Sequence, residues 1–121
     1  MDVQAKIITQ FVRDLSFENP QGPLAFRSNN DKPEIKANID VKATNQKDTN
    51  VFEIELNINV VAIQNEKNSY LIDLKYVGIF EIENLTDDIR EPYLLVECPR
   101  LIFPFARRII YDLHADGGLP P

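Results

Sequence analysis

Apolar and polar residues alternate strictly through the middle of the chain. Between residues 34 and 43 the odd positions Ile35, Ala37, Ile39 and Val41 are apolar, while Glu34, Lys36, Asn38, Asp40 and Lys42 are polar. Between 51 and 63 the apolar set moves to the even positions Phe52, Ile54, Leu56, Ile58 and Val60. A period of two marks a strand with one buried face. The polar stretches 45–50 and 65–68 read as hairpin connections, which join these strands to another over 69–83 in an antiparallel meander. That last strand carries Tyr70, Ile72, Leu74, Tyr76, Phe80 and Ile82 on its even side. Its odd side mixes Leu71, Val77 and Ile79 with Asp73, Lys75 and Glu81. A strand apolar on both faces calls for something packed on both. Gly78 offers it a place to bend or bulge.

Nearer the N-terminus, Phe11, Leu15 and Phe17 lie along one side of a further candidate strand, with Val12, Asp14, Ser16 and Glu18 on the other. Arg13 interrupts the apolar side, which places this strand at an edge or an end of the sheet. Residues 19–33 hold three prolines, one glycine and four asparagine or aspartate residues, the composition of a long loop. Leu24 and Phe26 are unusually apolar for such a loop.

After the strands comes the run Glu97-Cys98-Pro99-Arg100-Leu101-Ile102-Phe103-Pro104-Phe105-Ala106-Arg107-Arg108. Proline lacks an N–H and disfavours helical geometry in the residue before it, so Pro99 is expected to end one helix and Pro104 to sit in the first turn of the next. Ala106, Ile109, Ile110 and Leu113 form a helical apolar stripe, and Gly117-Gly118 before Pro120-Pro121 reads as a stop. The fold class is therefore α+β: a four-stranded antiparallel sheet with C-terminal helices packed on one face, in one domain over residues 1–121. Two helices cover only part of such a sheet. The apolar surface left open implies oligomerisation or a binding surface.

Charge narrows the function. Nineteen acidic residues against 13 basic give a net charge of −6, which opposes binding to nucleic-acid phosphates. One cysteine forms no internal disulfide, and one histidine supplies no conventional zinc site. The N-terminus shows no basic region followed by an apolar run, and no apolar stretch approaches membrane-spanning length, so a cytoplasmic chain with no direct membrane insertion is expected. Cys98 and His114 support no nucleophile–base pairing. They read as a small buried thiol and a helix-terminal side chain. The four glycines form no phosphate-cradling loop. Nothing in the pattern points to an enzyme or a cofactor.

Several motifs, in order along the chain, resemble the SecB family of bacterial protein-export chaperones. Arg13-Asp14-Leu15-Ser16-Phe17-Glu18-Asn19-Pro20 is similar to the family's first strand motif, Pro33-Glu34-Ile35 to the start of its second, and Gly78-Ile79-Phe80 to its G-I-F. The run from Cys98 to Arg107 resembles its C-P-x-L-[LI]-F-P-[FY]-A-R segment, and Asp116 to Pro121 its helix end. The resemblance implies a homotetramer built as a dimer of dimers. It also implies a holdase without nucleotide or cofactor that keeps precursor proteins unfolded and hands them to SecA. Family members continue past the helix-end segment into a last helix and an acidic tail, which this chain, ending at Pro121, is expected to lack. An antitoxin-guarding SecB-like chaperone is the rival within the family, and a small apolar-ligand carrier the rival outside it.

The same resemblance, together with the face assignments, marks three sets of residues. Phe17, Leu24, Phe26, Phe80 and Ile82 are candidates for a client groove. Asp14, Glu18, Leu71 and Asp73 are candidates for the SecA contact. Ile72, Leu74 and Tyr76 are candidates for a contact between dimers.

Overall fold

The computed structural model describes the backbone of residues 2–19, 34–64 and 67–117, with the side chains of 64 and 67–69 set aside. Four strands, β1 (Gln4–Glu18), β2 (Glu34–Asn45), β3 (Val51–Gln64) and β4 (Lys67–Glu83), form one antiparallel sheet in the order β1-β4-β3-β2. The meander from β2 to β4 follows the alternation read from the sequence. Between β2 and β3 the turn is closed by backbone bonds from Gln46 N to Val51 O (2.9 Å) and from Thr49 N to Gln46 O (3.1 Å), with Asp48 at φ 60°.

β1 departs from the expected strand in length and in parity. It starts at Gln4, and its pairing with β4 is irregular between Ile7 and Thr9 and between Val12 and Asp14. Each extra residue in a bulge reverses the alternation that follows. Phe11 consequently pairs with Val77 on one face, whereas Leu15 and Phe17 pair with Leu74 and Ile72 on the other, beside Val12 opposite Tyr76. Phe11 does not share a side with Leu15 and Phe17, as strict alternation had implied.

The proline-rich segment does not break into two helices. Helix α1 (Asp87–Pro92), a π-helical turn (Tyr93–Glu97) and helix α2 (Cys98–Asp116) run on as one rod, and the junction residues Pro92, Tyr93, Glu97 and Cys98 are all right-handed helical. In a regular α-helix the ring of Pro99 would collide with the carbonyl four residues back. The turn before it is widened: the N–H of Cys98 donates to the oxygen of Tyr93, five residues earlier. Leu94, Cys98, Ile102 and Ala106, four residues apart, are all buried. Continuous burial of that stripe against the sheet outweighs the hydrogen bonds lost at the prolines.

This rod crosses the sheet from the β2 side to the β1 side. At its start the Arg90 guanidinium lies 5.1 Å above the Phe52 ring on β3. Midway, Ile102 lies against Gly78 on β4, where an added Cβ would fall 2.8 Å from Phe80 Cε1 and 3.0 Å from Ile102 Cγ2. Gly78 therefore serves close approach of the helix. It marks no bulge, since the β3–β4 register is unbroken there. At the far end the ring of His114 meets that of Tyr70 edge-on at 4.9 Å, and Asn19 Nδ2 donates to the Gly117 carbonyl at 3.0 Å. Burial lowers the pKa of His114.

Candidate functional site

The sheet has a helix-covered face and an open face, and the residues singled out from sequence divide between them. On the open face Glu18 pairs with Leu71, Ser16 with Asp73, and Asp14 with Lys75. Asp14, Glu18, Leu71 and Asp73 thus stand together on two adjacent strands. All three carboxylates are exposed and Leu71 is half-buried between its neighbours. Lys75, on the same odd side of β4 but outside that candidate set, sits among them and tempers the negative charge.

Next to this patch is an ion network that strict alternation hid. Arg13, extruded at the second β1 bulge, reaches across β4 to β3, a span of roughly 10 Å. Its guanidinium donates to both carboxylate oxygens of Glu53 and to Glu55 at 2.8 Å, and it lies 5.8 Å from the Phe11 ring centroid. Val77, paired with Phe11 and Glu55, is fully buried within this group, although it faces away from the helix. Hydrogen bonds from Arg13 hold the Glu53 carboxyl below its ordinary range. A carboxyl with a depressed folded pKa contributes stability above its unfolded value, 4.5, and loses it as pH falls through the folded one. Arg13→Ala is accordingly expected to lower stability at neutral pH by about 1 kcal/mol or less, because the pair is partly exposed. Urea unfolding of both chains should show the difference shrinking at acid pH. A difference that does not change with pH would assign the loss to packing over Val77 alone.

The described residues of the other two sets lie on the helix-covered face. Ile72, Leu74 and Tyr76 are buried inside the single chain, in one cluster with Ile58, Ile102 and Ala106. The Tyr76 hydroxyl donates to Gln10 Oε1 at 3.0 Å. Phe80 and Ile82 are equally buried in that core. Phe17 is half-buried next to Ile72, eight residues along β4 from Phe80, or roughly 27 Å at about 3.4 Å per residue. These three therefore do not line one groove, and Leu24 and Phe26 lie outside the described residues. The physical reason is common to all: the even side of β4 is the face the helical rod covers.

Apolar surface remains exposed on both sides of the rod and on the rod itself. It includes Val12 and Leu15 on β1, Ile35 and Ile39 on β2, and Leu95, Val96, Leu101, Phe105 and Tyr111 on the helix. Between helix and sheet, Ile54, Leu74, Phe80 and Ile102 are fully buried in one core cluster. Cys98 is buried, and burial pushes its thiol up to about 12, so it remains an unreactive core side chain. Among the described residues no cluster of acidic, histidine or cysteine side chains could hold a metal ion. No described helix is long and apolar enough to cross a membrane.

The family described as SecB, preprotein translocase subunit SecB, matches residues 1–121. A protein-export protein SecB from Maricaulis maris is 45% identical over 98% of this chain and 68% of its own length. One from Afipia carboxidovorans is 42% identical over 98% of this chain and 73% of its own. Among solved structures, a SecB-like chaperone of Mycobacterium tuberculosis, in complex with a peptide from an antitoxin, superposes with a TM-score of 0.72. That superposition covers 97% of this chain and 86% of the other at 15% identity, a likeness of fold. Full-length agreement in sequence and fold makes this chain a member of the SecB family of protein-export chaperones, which are not enzymes.

Proposed function

We propose that the chain holds precursor proteins in a non-native, extended state in the cytoplasm and delivers them to SecA through the open face of its sheet. The observation that carries this reading is the grouping of Asp14, Glu18 and Asp73 around Leu71 on neighbouring strands, exposed and away from the helix. Three carboxylates around an apolar centre favour electrostatic capture of a basic partner segment, with an affinity that falls as salt is added. Asp14→Ala combined with Asp73→Ala should weaken SecA binding in titration calorimetry and preserve suppression of precursor aggregation without nucleotide. Parental SecA affinity in that double variant would remove the patch from the mechanism.

Assembly as a dimer of dimers belongs to the same reading. Exposed Leu95, Val96, Leu101 and Phe105 on the outer side of the rod are the surface we assign to it, in place of the core residues of β4. The M. tuberculosis neighbour binds an antitoxin peptide. Precursor holding is preferred here because the relatives above 40% identity are protein-export proteins.

A further inference from the structure

The second bulge of β1 sets an arginine beside the acidic patch of the open face. The register passes from Val12–Tyr76 to Asp14–Lys75, so Arg13 and Asp14 both stand opposite Lys75. From there the arginine has two sets of carboxylates within reach. Towards β3 are Glu53 and Glu55, which it holds. On the other side are Asp14, next to it in the chain, and Asp73, two residues from Lys75 along β4 or roughly 7 Å. A side chain that spans β4 is long enough for either set. The structure commits it to the first. Arg13 donates to both oxygens of Glu53 and, at 2.8 Å, to Glu55, and its guanidinium lies 5.8 Å from the Phe11 ring centroid. These bonds hold the Glu53 carboxyl below its ordinary range, so it is ionised and paired at neutral pH. Among the described residues Asp14, Glu18 and Asp73 make no ion pair.

We propose that Glu53 and Glu55 are positioning residues for partner docking: they hold Arg13 away from Asp14 and Asp73, and so keep the acidic patch open to a basic segment of SecA. This rests on the SecA-docking reading and adds to it two residues that act through Arg13 without touching the partner. A cation tethered one residue from Asp14 has a high effective concentration there. Released from Glu53 and Glu55, Arg13 turns back on the patch and competes with the partner's own lysines and arginines for the same carboxylates.

The test is titration calorimetry of the full chain with SecA, on variants whose cooperative urea unfolding shows them folded. Threonine suits a strand and is too short to hold the guanidinium. Glu53→Thr with Glu55→Thr should weaken SecA binding about fivefold, the size of one exposed charge contact. Adding Arg13→Gln to that pair should restore the affinity to within about twofold of the parent, because the competing cation is gone. Asp40→Asn with Glu81→Gln takes the same two charges from the open face without releasing Arg13, and should change little. Arg13→Gln alone, which needs neither glutamate replaced, should bind SecA at least as tightly as the parent. An unchanged affinity in the Glu53/Glu55 pair would overturn the proposal. So would a triple variant as weak as the pair, which makes the glutamates direct contacts, or an equal loss in the Asp40/Glu81 control, which makes net charge the cause. Weaker binding by Arg13→Gln alone also counts against it. Asp14→Ala with Asp73→Ala is titrated alongside: if that variant weakens SecA while the Glu53/Glu55 pair does not, this inference alone fails. Parental affinity in the Asp14/Asp73 variant refutes the docking patch itself.

Discussion

Leu74→Asp is expected to prevent the chain from folding, not merely to separate its copies. Leu74 has no exposed surface, and its register partners Leu15 and Ile58 offer no polar atom to a carboxylate. An unpaired buried carboxylate costs several kcal/mol even after its pKa shifts to keep it neutral, a large part of a total stability of about 5–15 kcal/mol. Circular dichroism should show loss of the cooperative unfolding transition, with the isolated chain as affected as any assembly. A variant that unfolds at the parental temperature but sediments as a smaller species would return Leu74 to a contact between copies.

At Gly78 the expected loss has the opposite cause, too many atoms in place of a wrong one. The two atoms an added methyl would meet belong to Phe80 and Ile102, which are themselves fully buried and have little room to withdraw. Gly78→Ala is therefore expected to destabilise by about 1–3 kcal/mol and Gly78→Val by more. Ile102→Ala alone should cost about 2–5 kcal/mol through the cavity it leaves. Combined with Gly78→Ala it should cost less than the sum, since the new methyl occupies space the isoleucine vacated, with a coupling of about 0.5 kcal/mol or more. Strict additivity in denaturant unfolding would mean that the two residues do not meet.

Both results bear on how an export chaperone keeps a rigid core beneath adaptable surfaces. The helical rod covers the described even-side residues of β3 and β4 from Phe52 to Ala62 and from Tyr70 to Ile82, and exposed large apolar residues remain on the sheet's edge strands and on the rod's outer side. That remainder is the surface we propose for non-native chains and other copies. On the open face Arg13 neutralises Glu53 and Glu55, while Asp14, Glu18 and Asp73 remain exposed around Leu71.

Alternation alone determined β2, β3 and β4 and their hairpin order, because a half-buried strand must repeat every two residues and each strand here is closed by a short polar connection. It also grouped Glu18 and Asp14 with one side of β1, and Leu71 and Asp73 with one side of β4. Pairing of those strands then placed both groups on the same face. Local pattern could not decide which face of β4 the helix covers, since both carry apolar residues. Ile72, Leu74, Tyr76, Phe80 and Ile82 were therefore open to being read as surface. Nor did it reveal the bulges in β1, although Val12 and Leu15, three apart and both inward, carry their trace. At Pro99 and Pro104 local preference called for a break, and the rod stays continuous because its buried stripe at 94, 98, 102 and 106 packs on the sheet only in one helical phase. The sequence determines what is local and periodic. Which apolar face is inside, and where a strand must take an extra residue, is decided by the partner it packs against.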